Sequence, residues 1–219
     1  MEYLLSTDSL TKRYGRHKAV NSVNIHIRQG DIYGLIGRNG AGKTTLLRMI
    51  SGLASPTEGE FTLFGKRGKS AYRYLSRVGT LIEAPGIYPN MSAADNLRLK
   101  CLAMGVRKKG EIEELLDIVG LSETGKKKVK NFSMGMKQRL GIALALVGDP
   151  DLVILDEPIN GLDPQGIAEV RDTLSRLNRE RNLTMIISSH ILEELSKIAT
   201  RYGIIHDGVL LQELTREEL

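Results

Sequence analysis

Ile32-Tyr33-Gly34-Leu35-Ile36-Gly37-Arg38-Asn39-Gly40-Ala41-Gly42-Lys43-Thr44-Thr45 is the stretch that decides the fold of this 219-residue chain. The nearly continuous apolar run from Ile32 to Ile36 is the mark of a strand buried on both faces. It leads into Gly37 to Thr44, which fits the pattern G-x-x-x-x-G-K-S/T, and then into residues with helical periodicity. Gly37, Gly40 and Gly42 let the backbone fold into a nest whose N–H groups point at phosphate oxygens, and the positive end of the following helix dipole adds to the attraction. In this setting Lys43 reaches β and γ phosphates and the Thr44 hydroxyl ligates Mg2+, with Asn39 and Thr45 as further nucleotide contacts. An ordinary glycine-rich turn requires neither the Lys-Thr pair nor the flanking elements.

Further along, Leu152-Val153-Ile154-Leu155-Asp156-Glu157 reads as a second buried strand, ending in two carboxylates at the sheet edge where α/β proteins bind ligands. Asp156 suits Mg2+, directly or through water, because a hard cation takes oxygen ligands. Glu157 suits the orientation and deprotonation of an attacking water. Without the Lys43 loop, the same acidic pair would be a solvated turn. Met185 to Ile187 is another short apolar run, and each of the three runs precedes a helical pattern, so a parallel sheet covered on both faces is predicted. Val23, Ile25 and Ile27 alternate with Asn24, His26 and Arg28, and Phe61 to Phe64 reads similarly, which predicts a small antiparallel sheet at one edge.

Between Ser92 and Gly148 the pattern changes. Ala93, Leu97 and Cys101 form one helical stripe and Ile112, Leu115, Leu116 and Val119 another, with Gly105 and Gly120 as stops. An inserted helical subdomain is expected at about residues 84–148, inside a single domain covering residues 1–219. The tail from Ile204 through Asp207-Gly208 to Leu211 predicts a terminal hairpin.

Composition narrows the field less. A net charge of +5 suits nucleic acid, anionic lipid or polyphosphate alike. The basic run from Lys126 to Lys130 carries no interleaved aromatics and is expected to be a solvated loop. The single cysteine, Cys101, excludes an intramolecular disulfide and sits on an apolar stripe. No apolar run approaches the roughly 18 residues that cross a bilayer, so a chain neither secreted nor transmembrane is expected.

From Tyr14 to His190 the motifs resemble the ATP-binding subunits of ABC transporters. Phe132-Ser133-Met134-Gly135-Met136-Lys137-Gln138-Arg139 is similar to the ABC signature, although Phe132, Met134 and Met136 replace its usual Leu, Gly and Gln. Locally, an ordinary cap of a core helix explains Ser133 equally well; alongside the phosphate loop, its hydroxyl and the backbone near Gly135 read as an anion-binding helix start. The resemblance implies a P-loop NTPase of the ABC-ATPase fold: α/β, a mostly parallel sheet flanked by helices, an N-terminal antiparallel β subdomain and the helical insert. It implies ATP and Mg2+ as ligands, and a head-to-tail homodimer in which Ser133 and Gly135 contact the γ-phosphate held by the other copy. It also implies separate transmembrane permease subunits, no nucleic acid, and a cytoplasmic chain peripheral on the inner face of the membrane.

In the same way Tyr14 is expected to stack on adenine, Asp163 of Gly161-Leu162-Asp163 to link the two sites, and His190 to touch the γ-phosphate and position water with Glu157. Locally, Tyr14 also reads as an edge aromatic, Asp163 as the cap of the helix opened by Pro164, and His190 as a strand-end histidine. Glu83 stands where most of the family carries a glutamine that senses Mg2+ and meets the permease, so it is taken as a nucleotide and metal contact. A carboxylate there and the Ser-x-Gly-Met-Lys-Gln-Arg stretch resemble subunits that export, or confer immunity to, lantibiotics and bacitracin-like peptides. A soluble ABC protein acting on ribosomes or nucleic acid is the alternative, and a P-loop kinase would leave Ser133 to Arg139 and His190 without a task.

Overall fold

A computed structural model describes residues 3–219. Its elements in chain order are β1 (Leu5–Tyr14), β2 (His17–Val23), β3 (His26–Ile27), β4 (Ile32–Ile36), α1 (Lys43–Ile50), β5 (Glu58–Leu63), β6 (Lys66–Arg67) and β7 (Val78–Leu81). These are followed by α2 (Ala93–Met104), α3 (Glu111–Ile118), α4 (Met134–Leu146), β8 (Leu152–Asp156), α5 (Pro164–Arg181), β9 (Thr184–Ser189), α6 (Leu192–Ser196), β10 (Arg201–His206) and β11 (Val209–Thr215).

The larger sheet has six strands in the order β11-β10-β4-β9-β8-β7, parallel throughout except for β11. Its central strands separate two apolar cores by simple period-two alternation. Leu152 and Ile154 of β8, Ile186 of β9 and Tyr33 and Leu35 of β4 face a core shared with α1 and the antiparallel sheet. Val153, Leu155, Met185 and Ile187 face the other core, which also takes side chains of α2, α3, α4 and α5. Burial on both faces is why these strands read as unbroken apolar runs. Each large side chain withdrawn from water contributes about 1.5–3 kcal/mol, so the two cores hold the sheet between its covering layers.

The antiparallel sheet has the order β2-β1-β5-β6, with β3 also on β1. Val23, Ile25 and Ile27 are all buried, as their alternation predicts, but they do not lie on one strand. Ser22 adopts a φ of 50°, β2 stops at Val23, and the Ile25 N–H is taken by the Thr7 hydroxyl at 2.9 Å. Side-chain alternation reports burial, while ladder pairing depends on the partner strand, and here β1 has a register shift between Leu10 and Lys12. The terminal hairpin forms, with Asp207 and Gly208 both at positive φ as a tight primed turn requires. Beyond the expected span, its first strand also pairs in parallel with β4 and so completes the large sheet.

Between β7 and β8 the chain makes α2, α3 and α4. Ala93, Leu97 and Cys101 are buried on α2, and Leu115 and Leu116 on α3. The Ser92 side chain caps α2 by accepting from the Asp95 N–H, and Gly105 ends that helix in the left-handed region.

Candidate active site

Parallel pairing aligns the carboxyl ends of β4, β8 and β9. Ile36 lies opposite Ser189, and Asp156 opposite Ser188. The loop after Ile36, the pair Asp156-Glu157 and the segment Ser188 to His190 therefore meet at one sheet edge, the place where an open α/β sheet binds ligands.

The loop is held in shape by two close approaches. A Cβ on Gly37 would run into the Ile205 carbonyl of β10, and one on Gly42 into the Ala19 carbonyl. Gly42 also has a φ of 103°, a conformation that L side chains rarely adopt. Helix α1 makes its first intrahelical bond from Leu46 N–H to Gly42 O at 2.9 Å. The N–H groups of Lys43, Thr44 and Thr45 are thereby left without intrahelical acceptors and available to an anion.

Lys43 is almost wholly buried, 5% exposed, and its Nζ donates to the Gly37 and Arg38 carbonyls at 2.7 and 3.2 Å. The ammonium also lies 3.1 Å from Glu157 Oε1. That approach is ionic without a directed hydrogen bond, and Oε1 is buried with no hydrogen-bond partner. Glu157 Oε2 lies 2.9 Å from His190 Nδ1. One carboxylate oxygen is thus oriented by the imidazole while the other faces the Lys43 ammonium. Glu157 reaches this position from a φ of 49°, a strained value for a residue with a side chain.

Asp156 is held at both oxygens. Thr44 Oγ1 donates to Oδ2 at 2.7 Å and Ser188 Oγ donates to Oδ1 at 2.5 Å. The Thr44–Asp156 contact places two hard oxygen donors together, which fits Mg2+. Among the described residues no group of three or more His, Cys, Asp or Glu side chains gathers to hold a metal. A divalent ion here would take its remaining ligands from phosphate oxygens and water, the habit of Mg2+ at nucleotide sites.

Tyr14, Asn39, Gly40, Gly42, Lys43, Thr44, Thr45 and Glu157 line one cleft of about 390 Å³, joined by His17 and Ala19. Tyr14 is half exposed there, with the Lys12 ammonium 5.3 Å from its ring centroid. Ser133, Gly135 and Asp163 line a different depression of about 470 Å³ with Met134, Arg139 and Gly161. Ser133 caps α4, accepting from the Met136 N–H at 3.2 Å, and Asp163 caps α5, accepting from the Gly166 N–H at 3.0 Å.

Glu83 joins neither group. Its exposed carboxylate is ion-paired with Arg48 of α1, so a metal contact from Glu83 would require breaking that pair. Ser188 is the site residue that sequence reasoning missed. The signal was present, since a serine closing the apolar run Met185 to Ile187 on a buried strand needs a polar partner.

The ABC transporter family matches residues 20–160 of this chain. The bacitracin transport ATP-binding protein BcrA of Bacillus licheniformis is 50% identical over 220 residues, covering all of this chain and 72% of that protein. The lantibiotic transport ATP-binding protein SrtF of Streptococcus pyogenes is 43% identical over 210 residues, covering 96% of this chain and 90% of its own. A bacterial ABC transporter cassette solved as a dimer superimposes with a TM-score of 0.85 at 25% identity, over 97% of this chain and 98% of that one.

Proposed function

This chain belongs to the ABC transporter family as an ATP-binding subunit, and from that premise we propose that it is the ATP-hydrolysing motor of a peptide-antibiotic exporter. The meeting of Lys43, Thr44, Asp156, Glu157 and His190 at one sheet edge is the observation that carries the mechanism.

The triphosphate lies over the free N–H groups at the start of α1, with Lys43 on the β and γ phosphates and Tyr14 against the adenine. Thr44 and Asp156 would hold Mg2+ on the phosphate side, where it would supply charge neutralisation. Glu157, oriented by His190, takes a proton from water on its carboxylate once Lys43 has turned to the phosphates. The water oxygen bonds to the γ-phosphorus, the bond to the β-phosphate oxygen breaks, and ADP and phosphate result. Lys43 stabilises charge on the transferring group.

The site is completed by a second copy. Ser133 and Gly135 lie in a different depression from Lys43 on the same chain, which supports a head-to-tail dimer in which each copy's α4 start caps the other's γ-phosphate. Asp163 sits beside Ser133 and links the two sites. Among the described residues no helix is long and apolar enough to cross a membrane. A separate permease carries the cargo, a reading that the transport names of the relatives support. Its contact is a groove of about 320 Å³ beside Glu83, lined by Leu53, Ile82, Ala84, Tyr88 and Leu99. Glu83 answers to both the metal and that groove by exchanging Arg48 for them. On this reading the chain sits on the inner face of the membrane through its partner.

The test is phosphate release from ATP by the purified chain. Turnover is expected with Mg2+ and its loss with a chelator; a folded chain that binds ATP and Mg2+ but releases no phosphate as a dimer contradicts the assignment.

A further inference from the structure

Resting on that mechanism, we propose that Ser188 is a positioning residue for hydrolysis, a buried hydroxyl that locks Asp156 and Glu157 into one geometry. Ser188 lies on β9, directly opposite Asp156 in the register, and is fully buried. Its Oγ donates to Asp156 Oδ1 at 2.5 Å and accepts the Glu157 N–H at 2.9 Å. One hydroxyl therefore uses its only proton on the first carboxylate and a lone pair on the backbone of the next residue.

Each contact has a consequence. By holding Oδ1, Ser188 turns Oδ2 toward Thr44, so the oxygen that serves the metal side is chosen by a residue that never touches the metal side. By holding the Glu157 N–H, it satisfies a donor at the point where the chain takes the left-handed φ of 49°. That backbone angle aims the Glu157 carboxylate between Lys43 and His190. A strained conformation persists only where its surroundings over-determine it, and this hydrogen bond is the visible restraint. Neither Lys43 nor the loop from Gly37 to Gly42 bonds to Ser188, so the phosphate loop keeps its own hydrogen bonds when that hydroxyl is removed.

Three variants and four readouts test the inference. Ser188→Ala should keep ATP affinity near the wild-type value while kcat falls about tenfold or more, the scale of losing a charge-assisted hydrogen bond beside a reacting group. Ser188→Thr restores the hydroxyl and should recover most of that loss. Hydrogen exchange without nucleotide should show the Glu157 amide exchanging faster in Ser188→Ala than in wild type or Ser188→Thr. Glu157→Gln is the control for the mechanism itself, and its turnover at the wild-type rate would remove the base rather than the positioning residue. With that control silent, an undiminished kcat and unchanged Glu157 exchange in Ser188→Ala overturn the proposal. A parallel loss of melting temperature, ATP affinity and kcat in Ser188→Ala overturns it as well, since that is the signature of a merely structural serine.

Discussion

Replacing Glu157 by glutamine separates binding from chemistry more sharply than any other single change. The substitution keeps the size and planar shape of the side chain and removes one negative charge, 3.1 Å from the Lys43 ammonium. At an effective dielectric of about 20, that pair is worth at most about 5 kcal/mol, and the Gly37 and Arg38 carbonyls remain on the ammonium to soften the loss. The same charge repels an incoming γ-phosphate, so its removal leaves ATP affinity equal or tighter. Catalysis has no such compensation. The Glu157 carboxylate is the group that takes the proton from water, and an amide cannot accept it. General-base catalysis contributes roughly 10²–10⁴-fold, or about 2.7–5.4 kcal/mol of barrier. Phosphate release by Glu157→Gln should therefore fall at least about a hundredfold. Size-exclusion chromatography with ATP and Mg2+ should show a persistent dimer. Turnover within about threefold of wild type would refute the assignment of Glu157 as base.

Lys43→Ala should abolish binding of a fluorescent ATP analogue, because the ammonium is the one buried cation in the cleft; retained affinity would remove the loop from the phosphate site. Burial, and secondly Glu213 at 2.9 Å, hold the Tyr33 phenol well above its ordinary pKa of 10.0. Its stabilisation is complete below that value and is lost as pH rises, because the unfolded chain ionises first. Urea titrations of Tyr33→Phe should show a shallower alkaline loss of stability than wild type. Asp163→Ala should cost about 1 kcal/mol by uncapping α5, seen as a fall of roughly 2–4 °C in melting temperature. Glu83→Gln breaks an exposed ion pair with Arg48, so stability should change by less than about 0.5 kcal/mol. ATP hydrolysis should persist in that variant while cellular export changes, which a resistance assay measures.

Legibility in the sequence followed the range of the interactions. β4, β8 and β9 were readable because burial on both faces leaves continuous apolar runs, and the phosphate loop because its strand, turn and helix are contiguous. Asp163 was readable as a cap because Pro164 follows it at the first helical position. β7 left little trace, since Val78-Gly79-Thr80-Leu81 is short and contains a glycine. The split of Val23 to Ile27 between two strands depended on Ser22 and on the register of β1, both invisible to alternation. Arg48 and Glu83 are 35 positions apart, and Ser188 and Asp156 are 32 apart, so neither partnership has a local signature. The assignment of Ser133 and Gly135 to the γ-phosphate of a second copy came from resemblance alone, because the α4 start looks locally like any capped helix.

Titration calorimetry of ATP with Mg2+ into the wild-type chain addresses the central claim, that triphosphate is gripped at the Lys43 turn. Saturable uptake of one nucleotide per chain is predicted. A folded chain that takes up no adenine nucleotide would contradict it.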